Sequence, residues 1–498
     1  MTTRSIGRIA VAAIVLALGA SFGVAQVRAN TTHLPALPSR PATQTTQTYS
    51  HFNGPSFHRF ANSTKRTTFV GGGATLPALG YLGSNASSAN PSTPTTTSVW
   101  GYYAAHLTSP SVTVQYCQTG SGFGKKVYDG LSGGSAGVNG PCAPLGTKSG
   151  STNGFGAPSA LALTDPDLVA ADAPLLESEY STFVTNKAAT RGEPTELPEI
   201  VGAISMFYND PDTGTTQINL TDAQICGIVE GTITNWSQLG FKSRTLTFVY
   251  RSDGSGTTFS FSNHLVAVCG STSGLNVSQV FFDPTGVSCP ITGTPCVVKA
   301  APPGAIGASG NPGVISTIVA TTGSIGYAEA ANSLASKNTA AGINFATVNS
   351  KDPIKNLPET AAKISAATGI AKDSIIETNG GAATVASLAS VGLTPAHAGC
   401  VLLVKPASYA NLSGGYPIVA VSYHLYAYSG NGTNDTNLRT LAQELTKSGI
   451  NYNNNTSPNI TTVDKSTTTV GTGTTGFSTL PSTFQSSILT ASNSCINT

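Results

Sequence analysis

The chain has 498 residues, enough for roughly two or three domains with their own cores. Only 10% of them are charged, against roughly 25% in ordinary globular proteins, and the formal net charge of +2 supplies no basic field, so nucleic acid is not an expected partner. So few carboxylates leave an acidic medium little native-state ionisation to disturb, a composition compatible with life outside the cell at low pH.

Met1-Thr-Thr-Arg-Ser-Ile-Gly-Arg8 is a basic start, Ile9 to Gly23 is apolar, and Val27-Arg-Ala29 places small residues for cleavage, which predicts a signal peptide over 1–29. That apolar run is short for a spanning helix, no cysteine follows it for lipid attachment, and stable membrane insertion is not expected. Residues 30–66, rich in Thr, Ser and Pro without hydrophobic periodicity, read as a tether or leader. The globular part opens at Thr68-Phe-Val-Gly-Gly-Gly-Ala-Thr-Leu-Pro77, an apolar pair running into glycines and a polar Thr75. Ser111 to Tyr116 alternates as a strand, and Gln118-Thr-Gly-Ser-Gly-Phe-Gly-Lys-Lys126 is a small-residue turn that opens a helix. A Gly/Ser-rich insertion fills 131–158, and Glu177 and Glu179 read as solvated helix charges.

Glu199 to Asn209 is a buried strand, and Thr221-Asp-Ala-Gln224 is a capping box for the helix that carries Ile225, Ile228 and Val229. Leu246 to Tyr250 predicts the next strand and Thr257 to Val268 the next helix. Gly313 to Tyr327 reads as a helix then a strand, Tyr416 to Tyr428 as a strand, and Leu438 to Lys447 as a helix. Strands alternating with helices predict an α/β fold with mainly parallel sheets.

Eight cysteines in a chain with an export signal favour disulfides over thiols or zinc, since no CxxC or HExxH occurs. They allow roughly a hundred connectivities. The working assignment is Cys117–Cys142, Cys226–Cys269, Cys289–Cys296 and Cys400–Cys495.

The most informative stretch is Leu246-Thr-Phe-Val-Tyr-Arg-Ser-Asp-Gly-Ser-Gly-Thr-Thr258, where an apolar strand enters a small-residue turn at the start of a helix. Backbone N–H groups there lack intrahelical acceptors and point at whatever the loop encloses, Arg251 adds a two-pronged donor, and Ser255 and Thr257 add hydroxyls. The plainer reading, a surface hairpin built on Asp-Gly and Ser-Gly, stays open from this stretch alone. Thr75-Leu76 and Gly120-Ser121-Gly122 are further turns of the same kind. In open α/β sheets such turns face one crevice at the carboxyl ends of the strands, which would suit one small anion. No G-x4-G-K-[ST] pattern is present, so nucleotide hydrolysis is disfavoured; Gly133-Gly-Ser-Ala-Gly137 spells a nucleophile elbow but lacks the strand an elbow needs.

With Gly72-Gly-Ala-Thr-Leu-Pro77, Tyr116-Cys-Gln-Thr-Gly-Ser-Gly122, Ala171-Asp-Ala-Pro-Leu175, Ile225-Cys-Gly-Ile-Val-Glu-Gly-Thr-Ile-Thr-Asn-Trp236, Tyr250-Arg-Ser-Asp-Gly-Ser-Gly-Thr-Thr258, Gly323-Ser-Ile-Gly-Tyr327 and Gly415-Tyr-Pro-Ile418, the chain resembles PstS-type phosphate-binding proteins of ABC importers, closest in wording to the DING-type branch. The resemblance spans roughly 68–447 in order. It implies a two-lobed periplasmic-binding-protein fold of type II, with inorganic phosphate in a hinge cleft, an ABC importer as partner, no cofactor, no catalysis, a monomer, and a location in the periplasm or outside the cell. The implied segments are lobe I over 67–209, lobe II over 210–330, and a return to lobe I with a tail over 331–498. By position, Thr75 and Leu76 give the first contact, with Leu76 contributing backbone N–H where many relatives carry an aromatic residue, and Ser121 gives the second. Arg251, Ser255, Gly256 and Thr257 form the donor cluster, and Asp253 holds the arginine. Asp172 matches the aspartate that accepts a protonated phosphate oxygen; a second register would put Ser159, in Phe155-Gly-Ala-Pro-Ser159, at that place. A carboxylate suits phosphate, which keeps a hydrogen near neutral pH, and disfavours sulfate, which has none to donate. The alternative function is a secreted phosphatase using the same anion pocket, for which no nucleophile with a base and no metal set is legible.

Overall fold

A computed structural model of the chain describes residues 65–83, 91–95, 98–108, 110–130, 137–142, 153–270, 273–283, 295–367, 369–445 and 476–498. The predicted signal peptide, all but the end of the leader, most of the Gly/Ser insertion with the elbow pattern, and the first part of the tail lie outside these residues.

The backbone is built on β1 (Thr68–Gly73), α1 (Ala78–Leu82), β2 (Thr113–Gln118), α2 (Ser121–Asp129), β3 (Leu168–Ala171), α3 (Glu177–Arg191), β4 (Pro194–Asn209) and α4 (Asp222–Val229). It continues through β5 (Thr247–Arg251), α5 (Gly256–Val268), β6 (Ile306–Ala308), α6 (Gly310–Ala320), β7 (Ser324–Glu329), β8 (Ile343–Phe345), β9 (Val419–Ala427), α7 (Asp435–Ala442), β10 (Phe477–Thr479) and α8 (Ser482–Cys495). The strands form a ten-stranded sheet in the order β2-β1-β3-β9-β4-β7-β5-β6, with β10 and β8 also pairing with β4. Each wing is parallel: β2, β1 and β3 on one side, β7, β5 and β6 on the other. Long antiparallel strands join them, because β4 pairs with β9 over Pro194–Ala203 and with β7 over Ile204–Asn209. One strand thus belongs to both lobes, and the carboxyl ends of the parallel strands in both wings open toward the same crevice.

β4 starts earlier than the predicted Glu199, since Pro198 pairs with Tyr423 beside a register shift that leaves Glu199 unpaired, where a missing backbone donor is tolerated. All sixteen of its residues are buried, as expected for a strand covered on both faces. α7 ends at Ala442, short of the predicted Lys447. α4 carries the predicted capping box: the Thr221 hydroxyl accepts from Gln224 N–H, and the Gln224 carboxamide accepts from Thr221 N–H at 2.9 Å. Glu177 is exposed as predicted, but Glu179 corrects the expectation of a solvated charge. It is buried, accepting from Lys125 Nζ at 2.7 Å and from Leu176 N–H at 2.9 Å, so it ties α2 to the start of α3. The i, i+3 spacing from the helix start is what gives this carboxylate its backbone partner.

Disulfides join Cys117 to Cys142, Cys226 to Cys269 and Cys400 to Cys495, as assigned from the sequence. Cys296 is also disulfide-bonded, and Cys289, the partner assigned to it, lies outside the described residues. Cys400–Cys495 anchors α8 beside the central strands, where Thr195 of β4 donates to Cys495 O at 2.6 Å.

Candidate functional site

Thr75 leaves the end of β1, Ser121 opens α2 after β2, and Asp172 directly follows β3. From the other wing, Arg251 ends β5, Ser255 caps α5, Gly256 and Thr257 form its first turn, and Asn311 lies in the first turn of α6 after β6. Every junction delivers backbone N–H groups without intrahelical partners into one buried space.

Arg251 is buried, and its guanidinium is held in a fork by Asp253, with Nε to Oδ1 at 2.7 Å and Nη2 to Oδ2 at 2.5 Å. Burial pulls its pKa down, but the Asp253 charge and hydrogen bonds more than offset that, so the guanidinium stays charged. The Asp253 Oδ1 atom also accepts from Gly310 N–H at 3.0 Å, which fixes the base of α6 to the same pair. The free edge of the fork reaches Thr257 Oγ1 at 3.3 Å. Ser255 caps its helix by accepting from Thr258 N–H at 3.2 Å, leaving its hydroxyl hydrogen to turn outward.

Asp172 comes from the opposite wing. Its backbone N–H donates to Ser121 Oγ at 3.2 Å, and its carbonyl accepts from Ser260 Oγ of α5 at 3.3 Å. Its Oδ1 atom is buried with no hydrogen-bond partner among the described residues. Burial pushes the carboxyl up to about 7, against the opposing pull of Ser422, Arg251, Ser121 and Lys125. A buried carboxyl that exchanges its proton near neutrality, next to a fixed guanidinium, can share a hydrogen with a protonated oxyanion.

The two wings approach closely here. Gly122 N–H donates to Gly254 O at 3.1 Å across the cleft. Gly120 adopts φ +87°, and a Cβ there would meet Asp253 Oδ2 at 2.8 Å. At Gly256 a Cβ would stand 2.5 Å from Asp172 Cβ, so only glycine admits the carboxyl this close to the helix start.

All the predicted ligand residues therefore meet at one place. The Leu76 side chain is buried in the core against Gly202, so a part in the site would fall to its backbone. Ser159, the residue of the alternative register, is exposed on a single short turn, whereas Asp172 is buried between Ser121 and Ser260. Sequence reasoning missed Asn311 and Tyr327. The Tyr327 hydroxyl accepts from Arg251 N–H at 3.2 Å and meets Thr258 Oγ1 at 2.7 Å. The Ala308-Ser-Gly-Asn311 turn is another small-residue strand-to-helix junction and carried the missing signal, but its helix was expected to begin at Gly313. Among the described residues no group of three or more His, Cys, Asp or Glu side chains could hold a metal ion.

A two-lobed α/β molecule with a buried, donor-rich cleft at its strand ends is the architecture of a binding-protein superfamily. The model of a PBP superfamily domain matches residues 108–447, and the chain belongs to that superfamily. Among curated relatives, Alkaline phosphatase L of Pseudomonas aeruginosa is 28% identical over 267 residues, covering 53% of this chain and 57% of that protein. Phosphate-binding protein PstS of Xylella fastidiosa is 29% identical over 180 residues, 34% of this chain and 42% of the relative. The chain thus spans little more than half the length of the first of these relatives and less of the second. In fold it is similar to PfluDING, described as a high-affinity periplasmic phosphate-binding protein bound with phosphate, with a TM-score of 0.54 at 18% identity over 84% of this chain and 92% of that one.

Proposed function

We propose that this protein is a solute-binding protein that captures inorganic phosphate outside the cytoplasm by closure of two lobes and delivers it to an ABC importer. The observation that carries the reading is the buried, unpartnered carboxyl oxygen of Asp172 within a pocket whose other polar groups, from separate strand ends, are donors. Thr75, Leu76, Ser121, Arg251, Ser255, Gly256 and Thr257 hold the charged oxygens, Asp172 takes the hydrogen of the remaining one, and Asp253 keeps the guanidinium in place. The lobes divide near 209 and 330, at the ends of β4 and β7. Each hydrogen bond to a charged group contributes about 1.5–3 kcal/mol, so several convergent donors give tight binding without a lysine cluster. Matches to relatives named phosphate-binding protein favour the same ligand.

The name of the first curated relative raises phosphoester hydrolysis as a second reading. Catalysis would need a nucleophile activated by a base or a metal, and Asp172 and Arg251 supply neither. Calorimetric titration with inorganic phosphate, with sulfate as competitor, tests the first reading: saturable one-to-one binding that sulfate fails to displace is expected. Release of nitrophenol from its phosphate ester, abolished by Arg251→Ala, would establish the second reading instead.

A further inference from the structure

Asn311 is buried and touches cleft groups of both wings, Thr75 on one side and Arg251 and Thr257 on the other. Its Oδ1 accepts from Glu329 N–H at 3.2 Å and lies 3.4 Å from Arg251 Nη1, both groups that can only donate, so the orientation of the carboxamide is determined. The amide nitrogen must then face the other way. It donates to Thr75 Oγ1 at 3.1 Å, across the cleft, and to Thr257 Oγ1 at 3.4 Å in its own lobe.

Each threonine receives a second donor. Asn311 N–H reaches Thr75 Oγ1 at 3.4 Å, and Arg251 Nη1 reaches Thr257 Oγ1 at 3.3 Å. A hydroxyl oxygen has two lone pairs, and here both are occupied by groups that cannot accept a hydrogen in return. The only capacity left to either hydroxyl is its own hydrogen.

We infer that Asn311 is a positioning residue that sets the hydrogen-bond polarity of the cleft, holding Thr75 and Thr257 as donors toward the bound oxyanion and leaving Asp172 as the acceptor. The inference rests on the phosphate reading and adds the rule by which the site counts hydrogens. Charged oxygens meet the two threonine donors, one protonated corner meets Asp172, and neither threonine offers a lone pair to a further hydroxyl hydrogen of the ligand. Because Asn311, Arg251 and Thr257 share one lobe, Thr257 is set as a donor within that lobe, whereas Thr75 is set only when the cleft is closed.

The test is calorimetric titration of inorganic phosphate into the full chain as wild type, Asn311→Ala, Thr75→Val and the double variant, with thermal unfolding of each ligand-free protein as a folding control. Each single change is expected to weaken binding about tenfold, the worth of a neutral hydrogen bond. The double variant should fall within about threefold of the weaker single, since Asn311 acts through the hydroxyl that valine removes. Asn311→Asp keeps the shape but accepts hydrogens from both hydroxyls and turns them off the ligand, so a loss of at least about a hundredfold is expected even where the alanine variant unfolds. Additive losses approaching a hundredfold in the double variant, or phosphate binding within about twofold of wild type in Asn311→Ala or Asn311→Asp, would overturn the assignment alone. A wild-type protein that takes up no phosphate would overturn the phosphate reading, and this inference with it.

Discussion

The discriminating residue is Asp172, because it is the one group in the cleft that gains from a hydrogen on the ligand. Replacing it by Asn keeps the shape and removes the charge, and an amide cannot both accept and share a proton as the carboxyl does. Asp172→Asn should weaken phosphate binding about 10- to 100-fold at neutral pH, in line with the loss of one charge-assisted hydrogen bond. The same change removes the negative charge that opposes sulfate, so competition titrations should show the preference for phosphate over sulfate shrinking. An unaltered preference would mean that the carboxyl does not face the ligand. Asp172 was legible in the sequence because it sits in the Ala-Asp-Ala-Pro-Leu spelling at a strand end, and Arg251 with Asp253 because two residues apart on a turn suits a fork. The turn that carries Asn311 had a legible signal, but the bridging of hydroxyls 236 and 54 residues away did not, because no local pattern announces it.

Among elements, the decisive feature is how closely the start of α5 approaches the end of β3. A Cβ at Gly256 would lie 2.7 Å from both Cα and C of Asp172, backbone atoms that cannot swing aside as a flexible side chain would. The clash belongs to the closed cleft and not to the core of either lobe. Gly256→Ala is therefore expected to weaken phosphate binding about 5- to 150-fold, one close packing misfit of about 1–3 kcal/mol, while ligand-free thermal unfolding moves little. Equal affinity in wild type and variant would show that the two elements separate in the bound state. Element order was legible because alternating apolar strands and small-residue helix starts recur along the chain. The length of β4 was not, since prolines at 194 and 198 look like breakers until a bulge at Glu199 of β4 accommodates the second. Nor was the burial of Glu179, whose partner Lys125 comes from an earlier helix.

Over the whole molecule, the small number of charges conceals an unusual share of buried carboxyls. Burial pushes Glu196 and Glu329 up to about 8 and Asp172 up to about 7. Glu199 and Glu444 are driven well above the ordinary range, by burial and, for Glu444, by the Glu199 charge as well. Toward pH 5 these groups hold their protons in the folded state, while the same side chains ionise at about pH 4 when unfolded. As pH rises from about 4 to 8 the unfolded chain releases protons that the folded chain retains, so each group's stabilisation is full at acid pH and is lost on the way up, by at most about 1.4 kcal/mol per pH unit. His424 acts in the opposite sense: burial lowers it to about 3, so the unfolded state gains a proton below about pH 6.5 that the folded state refuses. Asp165 and Asp222, paired with Lys187 and His264, are held below the ordinary range and lose their contribution only when pH falls below it. Between pH 8 and pH 5 the carboxyls outweigh the single histidine, and the ligand-free protein should melt at least about 3 °C higher at pH 5 than at pH 8. Substituting Glu199→Gln, which leaves the cleft untouched, should flatten that slope. A Tm that rises with pH over this interval would mean that these carboxyls are ionised in the folded chain and that the polar core around Glu199, Glu444 and His424 carries charge.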